Sequence, residues 1–107
     1  MTLDDSGTTG ALTPGTPSTL STRTNPGVYA AEIDCASLAA GEFLTAEIYT
    51  KTLSGGASTR VGVGTCSWHS RAKKIVIDPL GSDIEYKLVV TQTGGSGRTF
   101  PWKVLKA

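Results

Sequence analysis

Histidine occurs once in this chain, at His69, cysteine twice, at Cys35 and Cys66, and methionine only as Met1. One histidine gives little from which to assemble a general acid and base, and no GxSxG nucleophile elbow or phosphate-binding loop makes up the shortage. His69 closes "CSWHS" and reads as a strand-end residue near solvent. The acids are scattered from Asp4 and Asp5 to Glu85, so only folding can bring two of them together as a carboxylate pair. No enzymatic activity is expected.

Charge is equally sparse, with charged residues at 18% and a formal net charge of +1. That balance argues against a dedicated nucleic-acid binder, which needs a basic patch able to displace several phosphate counterions. Arg71, Lys73 and Lys74 form the one basic cluster and read as a solvated strand edge protected against aggregation. No apolar run approaches the roughly 20 residues of a membrane-spanning helix. The opening Met1-Thr2-Leu3-Asp4-Asp5 has neither the basic nor the apolar region of a secretory signal. Neither a membrane nor a specific nucleic acid is therefore expected as a partner. Cys35 and Cys66 lack CxxC or Cys/His spacing, so they read as reduced, half-buried thiols, with no metal and no cofactor.

What the chain has is turn and strand chemistry, including 13 glycines in 107 residues. Length favours one core. "VYAAEIDC" alternates Tyr29, Ala31, Ile33 and Cys35 on one face, and "ASLAAGE" suits a short helical turn capped by Gly41. In "EFLTAEIYTKT", Leu44, Ala46 and Ile48 form a core face. "LSGGAS" turns the chain into "TRVGVGTCSWH", whose Gly62 and Gly64 suggest a bulge or a close-packed neighbour. "KKIVID" is short, and "PLGSD" turns it into "IEYKLVVTQT", with Ile84, Tyr86, Leu88 and Val90 on one face. "GGSGR" is a tight connection, and "TFPWKVLK" places Phe100, Trp102 and Val104 together, with Pro101 marking an edge or a bulge. Six or seven short strands without a long helix predict an all-β fold, a small antiparallel β-sandwich or jelly-roll-like barrel.

Residues 1–27 read differently from residues 28–107. Between Met1 and Pro26, 17 of 26 residues are Thr, Ser, Gly or Pro, and the large apolar side chains are Met1, Leu3, Leu12 and Leu20. Ordering one residue's backbone costs about 1–2 kcal/mol, and a buried large apolar side chain returns about 1.5–3 kcal/mol. An extended N-terminal arm is therefore expected, disordered alone and ordered by partner contact, with Thr19 to Thr24 available as an edge strand. The residues placed at such a contact are Leu3, Leu12, Pro14, Pro17, Leu20 and Arg23. A second reading makes Tyr29, Tyr49, Trp68 and Tyr86 a sugar-binding face on a carbohydrate-binding module.

The motifs "SLAAGEFL", "KTLSGGASTR" and "QTGGSGRTFPWKVLK" resemble small virion structural proteins of tailed bacteriophages over about Pro26 to Ala107. The resemblance implies a structural role, with capsid decoration (cement) preferred over a neck, tail or fibre component. It implies the major capsid protein and other copies of the chain, in a homo-oligomer such as a trimer, as partners. The implied location is the capsid surface of a virion assembled in the host cytoplasm; the arm lies outside the resemblance, and its expected role as the stabilising contact rests on its composition alone. No catalytic residue belongs to these motifs.

Overall fold

A computed structural model describes all residues 1–107 and contains eight strands and no helix. In chain order they are β1 (Thr2–Thr8), β2 (Ser18–Arg23), β3 (Gly27–Asp34), β4 (Phe43–Thr50), β5 (Thr59–Ser67), β6 (Lys74–Ser82), β7 (Tyr86–Thr93) and β8 (Pro101–Lys106). They form two four-stranded antiparallel sheets, β1-β8-β3-β6 and β2-β7-β4-β5. The result is a β-sandwich.

Alternation dictates the core. Tyr29, Ala31 and Ile33 of β3 meet Leu44, Ala46 and Ile48 of β4 and Tyr86, Leu88 and Val90 of β7, all within one buried cluster. Phe100 and Val104 join it with no exposed surface, and Trp102 packs partly buried against it. Each fully buried Leu, Ile, Val or Phe contributes roughly 1.5–3 kcal/mol. Gly64 of β5 faces inward, where a Cβ would lie 2.5 Å from Ile75 Cγ2, so β6 packs onto β5 through the missing side chain.

The N-terminal segment is not a separate arm. β1 pairs with β8 from Thr2 opposite Lys106 to Thr8 opposite Pro101, and β2 pairs with β7 from Ser18 opposite Val90 to Arg23 opposite Tyr86. Between them the chain crosses one end of the sandwich, held by Thr9 N–H to Phe100 O (3.0 Å), Leu12 N–H to Arg98 O (3.2 Å) and Gly15 N–H to Gln92 O (2.7 Å). Leu12 is buried in the core. The exposed sheet edges expected on a neighbouring chain are those of β7 and β8 of the same chain. Backbone hydrogen bonds, each worth about 0.5–1.5 kcal/mol net, supply what the few apolar side chains of the segment lack. The boundary expected at residue 27 therefore falls inside a single folded unit.

Two prolines also depart from expectation. Pro101 opens β8, an inner strand, at the first position, where a missing N–H breaks no ladder on the β3 side. Pro79 does not end β6: Asp78 and Pro79 bulge out opposite Ala30, and the strand continues to Ser82. All four edge strands carry such an irregularity, at Asp4 in β1, Leu20 in β2, Val61 in β5 and Asp78–Pro79 in β6.

Candidate interaction surface

The two outer faces of the sandwich differ in charge. On the β3/β6/β8 side, Glu32 accepts from Lys74 Nζ (3.2 Å) and Lys103 Nζ (2.7 Å), and these hydrogen bonds, that of Lys103 first, hold its carboxyl below the usual range. A shallow recess of about 200 Å³ beside them is lined by Glu32, Asp34, Lys74, Pro101, Trp102 and Lys103. This face carries the larger cluster of charges, although Val76, opposite Glu32, is 61% exposed on it.

The opposite face is built by the outward positions of β4 and β5. Phe43, Thr45, Glu47 and Tyr49 alternate with the core residues of β4 and lie opposite Ser67, Thr65, Val63 and Arg60 of β5. Glu47 and Arg60 neutralise one another at 3.1 Å, and the Tyr49 hydroxyl donates to the same Glu47 oxygen at 3.2 Å. Burial first, and then the Glu47 carboxylate, raise the Tyr49 hydroxyl above its ordinary value. Beside the Glu47–Arg60 pair, whose Arg60 side chain is 59% exposed, the face is apolar or hydroxylic: Phe43 is 49% exposed, Val61 49% and Val63 53%. Trp68, in the turn after β5, is 45% exposed, with the Lys73 ammonium 5.1 Å from its ring centre. Lys73 also donates to Ser67 O and Trp68 O.

The two sides of the sandwich differ as well. Along β1 and β2 the side is tied shut: Arg23 Nε meets Asp4 Oδ2 at 2.7 Å, and Ser21 Oγ donates to Asp5 Oδ2 at 2.6 Å. Along β5 and β6 it opens as a groove of about 280 Å³ that includes Val61, Val63, Val76, Ile77 and Leu80. Exposed apolar patches with little charge mark contact surfaces.

The residues expected to meet a partner do not converge. Leu12 and Leu20 point into the sandwich, Arg23 is engaged by Asp4 and Asp5, and Leu3, Pro14 and Pro17 are exposed at separate places. Phe43, Val61 and Val63 were not among the expected contact residues; the alternation in "VGVG" was legible, but not that its glycines turn to the core and leave the valines outside. The sugar-binding face does not form either. Tyr29 and Tyr86 are buried and stacked on each other, while Tyr49 and Trp68 remain at the surface. His69 is exposed in the turn after β5, and no three His, Cys, Asp or Glu residues group so as to hold a metal.

The segments "SLAAGEFL" and "QTGGSGRTFPWKVLK" meet at one end of the sandwich. Glu42, from the corner before β4, accepts from Ala39 N–H (2.7 Å), Ser96 N–H (3.3 Å), Arg98 Nε (3.0 Å) and Arg98 Nη2 (3.1 Å). Gln92 clamps the same turn, donating to Gly94 O (3.1 Å) and Ser96 O (2.6 Å) and accepting from Arg98 N–H (2.9 Å). Gly95 has φ +67°, and a Cβ there would lie 1.9 Å from Glu42 Oε2, so this turn needs glycine on both counts. "GGSGR" is thus a turn that receives a carboxylate. It ties the corner before β4 to the connection between β7 and β8.

No protein-family model matches the chain, and neither a curated protein nor a solved structure matches it.

Proposed function

We propose that this chain is a non-enzymatic structural protein of a tailed-bacteriophage virion, a capsid decoration protein seated on the outside of the shell. The observation that carries the reading is the outer face of β4 and β5, where Phe43, Val61 and Val63 are exposed and the one charged pair, Glu47 and Arg60, is mutually neutralised. The resemblance of "SLAAGEFL", "KTLSGGASTR" and "QTGGSGRTFPWKVLK" to small virion proteins supports it. The contact with the major capsid protein moves from the N-terminal segment to this face, because residues 2–8 and 18–23 are already paired within the chain. Binding to the assembled shell stabilises it by mass action, and repetition of weak contacts over many copies raises the avidity.

The test is to purify the particles and locate the chain in their density. Density at the shell surface, with the β4/β5 face toward the capsid protein, is the expected result. Absence of the chain from particles would overturn the reading, and density at the neck, tail or fibre would replace decoration with a role there. Phe43→Asp should greatly reduce occupancy on bare shells while leaving the melting temperature nearly unchanged, since Phe43 is half exposed.

A further inference from the structure

We propose that β5 is a self-pairing edge, through which two copies of the chain join their β2-β7-β4-β5 sheets into one eight-stranded sheet. The inference stands on the backbone of β5 and does not depend on the decoration reading.

An edge strand presents unpaired N–H and C=O groups, and proteins block such edges with bulges, charges and prolines. Three of the four edges here are blocked. In β1 the Ser6 N–H is taken by Asp5 Oδ1 at 3.0 Å, next to the bulge at Asp4. β2 has six residues, a bulge at Leu20, and Pro17 and the ion-paired Arg23 at its ends. β6 carries Lys74, Asp78 and Pro79. β5 is different: beyond its bulge at Val61 the six residues Gly62 to Ser67 run on with neither charge nor proline.

The direction of its free groups follows from one hydrogen bond. Trp68 N–H donates to Glu42 O at 3.4 Å, so Trp68 faces β4. In an antiparallel ladder alternate residues bond to the same side, which turns Cys66, Gly64 and Gly62 toward β4 and leaves Val63, Thr65 and Ser67 facing outward. The turn consumes Ser67, whose N–H is accepted by Ser70 Oγ (3.0 Å) and whose carbonyl is approached by Lys73 Nζ (3.3 Å). The N–H and C=O groups of Val63 and Thr65 remain, and β5 has no pairing partner except β4.

A second copy fits this edge by symmetry. With a two-fold axis at Gly64, Val63 lies opposite Thr65 of the partner subunit in both directions, giving about four backbone hydrogen bonds. Val63 and Thr65 both lie on the outer face, so the apolar faces of the two copies become continuous. No like charges oppose one another, because Arg60, the one charged residue of β5, lies toward opposite ends in the two copies and is paired with Glu47 of its own chain. An edge contact of this length falls below the roughly 1,000 Å² of a stable interface, so the dimer is reversible in solution.

The experiment is sedimentation velocity of the full chain over a concentration series, with residue-resolved amide exchange at both ends of the series. The expected result is a monomer–dimer equilibrium in which the Val63 and Thr65 amides slow as dimer forms. Thr65→Pro removes one outward N–H without touching the β4 ladder, and should abolish the dimer while the chain still melts cooperatively. Should that variant fail to fold, the wild-type exchange data decide alone. A monomer at every concentration overturns the proposal, as does a dimer whose Val63 and Thr65 amides exchange at the monomer rate. A monomer whose β5 amides become protected only on bare shells makes the capsid protein the occupant of this edge, which overturns self-pairing and leaves decoration standing.

Discussion

The rings of Tyr29 and Tyr86, one from each sheet, stack between the sheets toward one end of the sandwich with centroids 5.0 Å apart and planes 26° from parallel. Their hydroxyls have opposite fates. Tyr29 Oη donates to Asn25 O, whereas Tyr86 Oη is buried without a partner. Burial alone pushes the Tyr86 hydroxyl up to about 12.

Removing the two hydroxyls should therefore have opposite effects. A buried unsatisfied polar group costs about 1–3 kcal/mol, while a made hydrogen bond contributes about 0.5–1.5 kcal/mol net. Tyr86→Phe should leave stability unchanged or raise it by about 1 kcal/mol, and Tyr29→Phe should lower it by a similar amount. Denaturant melts of both variants check this, and a loss on Tyr86→Phe would mean that a partner for its hydroxyl has been missed.

Acid should loosen the end of the sandwich held by Glu42. Hydrogen bonding from Arg98, followed by that from the Ala39 N–H, holds the Glu42 carboxyl below its ordinary range. A carboxyl depressed in the folded state stabilises fully above its unfolded value of about 4.3, and that contribution is lost as pH falls through the lower folded value. The melting temperature of wild type should drop more steeply below about pH 4.3 than that of Glu42→Gln, whose melt should already be lower at pH 7. Parallel curves for the two proteins would remove Glu42 from the acid response.

Most of this fold could be read from alternation, because seven of the strands place apolar residues at every second position or lie next to clear turn signals. Tyr29, Ala31 and Ile33, and likewise Tyr86, Leu88 and Val90, came out on the buried face. β1 could not be read that way: "TLDDSGT" has no apolar period, and the strand exists because β8 offers it a backbone ladder. The pairing of β1 with β8 spans nearly the whole chain, a non-local choice on which local pattern is silent. The contact face was hidden for a related reason. Whether the valines or the glycines of "VGVG" point outward is decided by Ile75 and Ile77 of β6 filling the space above Gly64.

The cysteines should be chemically quiet in the folded protein. Both are free and buried, and Cys35 is pushed up to about 12, by burial first and by the neighbouring Cys66 second. Since the thiolate is the reactive species, iodoacetamide at pH 8 should modify neither Cys35 nor Cys66 on the timescale that labels an exposed thiol, and should modify both in denaturant. Rapid labelling of Cys35 in the native state would show that this end of β3 opens far more often than its burial suggests.

The sharpest consequence of the structure concerns the N-terminal segment. A free arm can be cut off without harm to the body, whereas two edge strands and a core residue cannot. Deleting Met1 to Thr24 strips β1 from β8 and β2 from β7, uncovers the outer edges of both, and removes Leu12 from the core. The newly bared edges of β7 and β8, eight and six residues long, lack the bulges of the strands that covered them, so the truncated chain should aggregate as well as unfold. Leu12→Ala isolates the packing part of this effect and should cost about 2–5 kcal/mol, as expected for a buried leucine. Amide exchange adds a local readout: in wild type, the Leu12 and Gly15 amides, bonded to Arg98 O and Gln92 O, should be protected in the isolated chain. A truncated protein that melts cooperatively within a few degrees of wild type, together with fast exchange at Leu12 and Gly15, would restore the free arm and return shell contact to residues 1–27.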